Sequence, residues 1–119
     1  MGTVRDYKDL AVWQRGMELA RLVYTVSVRL PASEQFGLVS QIRRAAVSVP
    51  SNIAEGYGRQ ATGEYRHHLS FARGSLLELE TQILMCINLG FLKAGECEAI
   101  LSEVNQLSRM LATLIGKLG

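Results

Sequence analysis

Arg43-Arg44-Ala45-Ala46-Val47-Ser48-Val49-Pro50-Ser51-Asn52-Ile53-Ala54-Glu55-Gly56 is the stretch that decides the fold. Its apolar positions belong to a longer stripe, Val39, Ile42, Ala46, Val49 and Ile53, spaced three or four apart. That spacing is one face of an α-helix. Ala45, Ala46, Ser48, Ser51 and Ala54 keep the helix thin, so a neighbouring helix can approach closely. Pro50 removes one N–H and crowds the carbonyl of Ala46, and the usual response is a kink. Ser48, Ser51 or Asn52 could hydrogen-bond the freed carbonyl.

Three further periodic segments surround this one. The first helix is predicted over about 10–30, with Asp9 as N-cap and Pro31 as its stop. Its leading stripe is Leu10, Trp13, Met17, Ala20 and Tyr24, with Val12, Leu19, Val23 and Val26 beside it. The second helix, about 34–58, contains the opening stretch, and Ser33 is its expected N-cap. The third is predicted over about 63–89, with Thr62 as N-cap and Gly90 at the C′ position. Its residues Leu69, Ala72, Leu76, Leu79, Ile83 and Cys86 step in threes and fours like a coiled-coil seam. The fourth, about 94–118, carries Ile100, Val104, Leu107, Leu111, Leu114 and Leu118. Short connections make consecutive helices antiparallel neighbours. The expectation is an all-α, up-down-up-down four-helix bundle formed as a single domain over 1–119, with helix two kinked near Pro50.

A chain of 119 residues can bury a real core. The surplus apolar residues Val12, Leu77, Leu84, Met110 and Ile115 need a cover. That cover is either a wide core stripe or a subunit interface. No apolar run reaches the length needed to span a membrane, and no leader-like apolar segment follows Met1. The default location is therefore cytoplasmic. Cys86 and Cys97 lack paired spacing, so neither a disulfide framework nor a metal site is expected. Cys86 falls on the third helix's seam, whereas Cys97 lies near a helix start, where a thiol pKa can fall.

Catalytic chemistry has little to stand on. Glu64-x-x-His67 is half of a bundle metal site, but His68 is the only other histidine and points elsewhere on the helix. No serine or cysteine has an evident base and oxyanion loop, and Gly56-x-Gly58 lacks a nucleotide-binding context. No enzyme activity, cofactor or metal is expected.

The charges say more. The net charge is +2, but residues 1–73 hold ten Lys/Arg against six Asp/Glu, and residues 74–119 hold three against five. In a hairpin of helices two and three, Arg44 lies level with Glu78, and Glu80 is half a turn away. Arg43 and Arg44 are therefore expected to form structural ion pairs with Glu78 and Glu80. Arg59, Arg66, His67, His68 and Arg73 cluster where helix two ends and helix three begins, with Tyr57 and Tyr65 nearby. They form either a phosphate-binding patch with stacking aromatics or an ordinary solvated bundle end.

The segment Gln41 to Gly56 resembles the 23S rRNA intervening-sequence protein family of small bacterial four-helix bundles. Tyr7-Lys8-Asp9-Leu10 with Val12-Trp13 is similar to the family's opening, and Gly74-Ser75-Leu76-Leu77-Glu78-Leu79-Glu80-Thr81-Gln82 to its third-helix signature. The resemblance implies a homo-oligomer, a pentameric ring, with no established catalytic residues. It also implies a structural likeness to the accessory variability proteins of diversity-generating retroelements, which bind a reverse transcriptase and nucleic acid. The expected function is a non-enzymatic oligomeric scaffold binding nucleic acid, structured RNA ahead of DNA. The alternative is a module that docks a partner protein without touching nucleic acid.

Overall fold

The computed structural model describes residues 3–119. Four helices account for the architecture: α1 (Ala11–Ser27), α2 (Leu38–Tyr57), α3 (Thr62–Asn88) and α4 (Glu98–Lys117). No strand occurs among the described residues. Each helix packs on the next and α4 returns to α1, which closes an antiparallel bundle with principal extents of 43 × 27 × 20 Å.

The helix starts differ from expectation for local reasons. Asp9 does not cap α1; it sits in a 3-10 turn, Tyr7–Asp9, and its carboxylate accepts from the N–H groups of Arg5 and Asp6. Leu10 then stands at the N-cap, without a side-chain cap. Ser33 lies in a second 3-10 turn, Ala32–Glu34, so α2 begins only at Leu38. There the Glu34 carboxylate takes the Leu38 N–H at 3.0 Å, a cap supplied from four residues upstream. Thr62 is the first residue of α3 rather than its cap. Gly90 is at C′ as expected, with φ +79. The Gly90 N–H donates to the Ile87 carbonyl at 3.0 Å and the Phe91 N–H to that of Cys86 at 2.9 Å, a Schellman ending.

The core seams of helices two and three are those expected, and so are the first four positions of helix four, whose Leu114 and Leu118 are only partly buried. Val39, Ile42, Ala46, Val49 and Ile53 are buried, as are Leu69, Ala72, Leu76, Leu79, Ile83 and Cys86. Ile100, Val104, Leu107 and Leu111 complete the seam from α4. On α1 the order of the two stripes reverses. Val12, Leu19, Val23 and Val26 enter the core, while Met17 and Tyr24 are exposed and Trp13 and Ala20 only half-buried. Gly16 explains the choice: its bare Cα faces Pro50 and Val49, where an added Cβ would lie 3.4 Å from each side chain. Helices α1 and α2 therefore meet closely at Gly16, and the larger side chains next to it turn outward.

Helix α2 continues through Pro50. The Asn52 amide donates to the Ser48 carbonyl at 2.9 Å and to Ser48 Oγ at 3.0 Å, rather than to the carbonyl of Ala46. Ser48 Oγ lies 2.8 Å from Ser75 Oγ, and His68 Nδ1 lies 3.2 Å from Asn52 Oδ1. A polar seam thus joins α2 to α3 beside the apolar core. Each group has a partner, which makes such a seam tolerable at a packed interface.

Candidate nucleic-acid interface

Sequence proximity brings together only part of the predicted basic patch. Arg59, His67 and His68 line one shallow hollow of about 300 Å³ with Gly63 and Glu64. Acidic neighbours occupy the guanidinium there. Arg59 lies 2.9 Å from Glu55 and 3.5 Å from Glu64. These are exposed pairs, each worth at most about 1 kcal/mol, but together they cancel the local positive charge. His68 is half-buried, with one ring nitrogen at Asn52 and the other 3.9 Å from Glu55. His67 is exposed and packs edge-on to Phe71, with centroids 4.4 Å apart. Tyr57 and Tyr65 pack edge to face on one another, with ring centroids 5.9 Å apart. Burial, and then the neighbouring Tyr57, raise the Tyr65 hydroxyl pKa.

Arg66 and Arg73 lie elsewhere. Seven residues apart on α3, they share a stripe on a flank away from the Arg59 hollow. Arg66 donates to the Leu118 carbonyl at 3.4 Å, at the C-terminal end of α4, where a cation complements the helix dipole. Arg73 is exposed and has no ion-pair partner among the described residues.

The expected ion pairs of Arg43 and Arg44 with Glu78 and Glu80 do not form among the described residues. Arg43 points to α1 instead: its Nε donates to Ser27 Oγ at 2.8 Å, and its guanidinium sits 4.6 Å from the Tyr24 ring centroid. A cation over an aromatic face gains from the ring quadrupole and needs no carboxylate. Arg44 and Glu78 do face one groove between α2 and α3, so the hairpin levels are those expected. Both side chains are exposed, however, and water solvates each without a closed pair. Glu80 is half-buried, again without an ion-pair or hydrogen-bond partner among the described residues.

Long-range ion pairs form where the sequence offered no local signal. Arg15 of α1 grips Glu103 of α4 with two hydrogen bonds of 2.7 Å, which raises the arginine's pKa against the cost of burial. Arg29 pairs with Glu96. The Lys93 N–H donates to Glu96, and with Arg29 it lowers the Glu96 pKa. Cys97 corrects the expectation of a softened thiol. It is buried at the N-cap of α4, and burial and Glu96 raise its pKa.

The sequence reading also missed an apolar groove on the outer face of α1 and α2. Trp13, Met17, Tyr24, Val47, Pro50 and Ala54 line a hollow of about 510 Å³. A second hollow of about 450 Å³ continues it past Tyr24 and Val47 to Phe36, Arg43 and Arg44. The Trp13–Met17–Ala20–Tyr24 spacing carries the signal, but periodicity alone does not say which of the two stripes on this helix faces outward.

The fold and its surface define a small antiparallel four-helix bundle whose polar chemistry lies on open faces. The chain belongs to the family described as 23S rRNA-intervening sequence protein, whose model matches residues 8–113. It is similar to a crystal structure of a protein of unknown function from the S23 ribosomal protein family of Bacteroides thetaiotaomicron VPI-5482. The TM-score is 0.78 at 23% identity, over 88% of this chain and 98% of that one. At that identity the likeness concerns the fold. No curated protein matches the chain. Among the described residues, no helix is long and apolar enough to cross a membrane.

Proposed function

We propose that this protein is a non-enzymatic, homo-oligomeric scaffold that binds structured RNA through the α3 stripe holding Arg66 and Arg73. The observation that carries the reading is Arg73: an exposed guanidinium with no carboxylate partner among the described residues, on the same stripe as Arg66. Its position suits phosphate, because a free arginine offers a planar fork to phosphate oxygens. The family's description, which refers to 23S rRNA, supports RNA over DNA. Arg59 contributes little, since Glu55 and Glu64 already hold it. One stripe per chain binds weakly; repeated around a homo-oligomer, which the family resemblance takes to be a pentameric ring, such contacts gain through multivalency.

The test is binding of a structured 23S rRNA fragment across a salt series. Wild type is expected to lose affinity steeply with salt, at up to about 0.9 in log–log slope per phosphate neutralised, the duplex value. Arg73→Ala is expected to weaken binding and flatten the slope, and Arg59→Ala to change little. Binding indifferent to salt and to Arg73→Ala overturns the proposal.

A further inference from the structure

We propose that the groove between α2 and α3 beside Ser48 is a binding site for a small zwitterion, a free α-amino acid. The two helices run antiparallel, and Ser48 Oγ meets Ser75 Oγ at 2.8 Å. Away from the hairpin turn, Ala45 then stands level with Glu78, and Gln41 with Gln82. These four residues, with Arg44 and Ser48, line a hollow of about 280 Å³. Ala45 is buried and ends at its methyl, which leaves the room. The Ser48–Ser75 contact closes one end. Pockets for drug-sized molecules begin at about 300 Å³, so this one suits something smaller.

Three groups in the lining are unmatched, and together they describe the ligand. Gln82 Oε1 is buried and has no hydrogen-bond partner among the described residues. A buried acceptor of this kind costs free energy until a donor reaches it. Arg44 and Glu78 bring opposite charges to the same groove, yet neither closes an ion pair among the described residues. An α-amino acid complements all three groups. Its carboxylate takes the planar fork of Arg44. Its ammonium group has three donors, which serve the Glu78 carboxylate and Gln82 Oε1. A simple anion would satisfy Arg44 but meet Glu78, and a simple amine would meet the reverse conflict. A zwitterion meets neither. The site uses neither Arg66 nor Arg73, so the inference is independent of the RNA reading.

Proton–nitrogen correlation NMR of the full chain tests this, with glycine, L-alanine and L-serine as probes at millimolar concentrations. Acetate and methylamine serve as half-ligands that carry one charge each. At least one amino acid is expected to shift the Gln82 side-chain amide and the Arg44 and Ser48 backbone amides saturably. Acetate and methylamine are each expected to bind about tenfold more weakly, having lost one charge-assisted contact. Arg44→Gln and Glu78→Gln should each weaken the amino acid by about the same factor. Both positions are exposed, so both variants should fold, which circular dichroism checks. Gln82→Leu should abolish binding while the chain stays helical. Arg73→Ala, on which the RNA reading depends, should leave it unchanged. No saturable shift with any of the three amino acids overturns the proposal. So does acetate or methylamine binding as tightly as the amino acid, or binding that survives Gln82→Leu.

Discussion

Replacing Gly56 with Ala sets a gain in helix propensity against a clash at the closest approach of α2 and α3. Gly56 is a buried residue near the end of α2. An added Cβ would lie 2.7 Å from His68 Cβ, 3.2 Å from Tyr65 Cδ1 and 3.2 Å from the Tyr65 carbonyl oxygen. A Cβ is held by its backbone and cannot rotate away, so α3 itself must move. Reaching the short end of normal carbon contact requires roughly 0.8 Å. That movement also stretches the His68–Asn52 and Ser48–Ser75 contacts of 3.2 and 2.8 Å. Overpacking of this kind costs up to about 3 kcal/mol. Ala in place of Gly in a helix returns about 1 kcal/mol. The expected net loss is about 2 kcal/mol, or roughly 8 °C in Tm for a chain of this length. Gly74, in the middle of α3, is the control, because nothing lies within 4 Å of its added Cβ. Gly74→Ala should therefore gain about 1 kcal/mol. Urea unfolding followed by circular dichroism, at matched protein concentration, measures both. A Gly56→Ala midpoint at or above wild type refutes the close-approach reasoning.

Other perturbations follow from the same geometry. Leu76→Ala empties a fully buried seam position and should cost about 2–5 kcal/mol in urea unfolding. Arg15→Ala breaks the two-bond grip on Glu103 and should cost about 1 kcal/mol, shrinking in high salt. The Lys93 N–H and Arg29 hold the folded-state pKa of Glu96 below its unfolded value. That contribution is present above the unfolded carboxylate pKa and is lost as pH falls through the folded one, so Glu96→Gln should flatten the acid limb of a stability–pH profile. Burial and the Cys97 charge push the Cys86 thiol up to about 11. Its contribution is full below the unfolded thiol pKa and is lost as pH rises through the folded one. At pH 8 a thiol reagent should therefore label the native chain only as fast as it opens.

The core was legible because burial is periodic. Leu69 to Cys86 steps in threes and fours, and every member of that seam is fully buried. Two stripes on one helix are a harder problem, and α1 shows why. Leu10–Tyr24 and Val12–Val26 are both apolar, and hydrophobicity alone does not rank them. Gly16 breaks the tie, but only once Pro50 is known to lie opposite it. The surplus apolar set divided for a similar reason. Val12 joined the core and Met110 and Ile115 packed partly against it, while Leu77 and Leu84 stayed exposed. Partners of charged side chains were least legible. Hairpin register placed Arg44 level with Glu78, and the two do share a groove. Level is not contact, however: Arg43 turns about 100° away from Arg44 on the helix and finds Tyr24 and Ser27. The Arg15–Glu103 pair joins the first helix to the last, a distance along the chain that no local rule spans.

Helix α2 unites these observations, because each of its sides meets a different demand. One side carries Ile42, Val49 and Ile53 into the core. The α3 side is thin and polar, with Gly56 admitting His68 Cβ and the Tyr65 carbonyl, and Ser48 and Asn52 answering Ser75 and His68. The α1 side meets Gly16 at Pro50, and that close fit forces Trp13, Met17 and Tyr24 outward to form the groove. Pro50 thus borders both the core and the open surface. An alanine there would restore a helical N–H and remove the ring that faces Gly16 and the groove together. The proline costs helix stability on its own. What it supplies is a buried ring that fits against Gly16 and walls the outer groove, about two turns beyond Arg43 and Arg44.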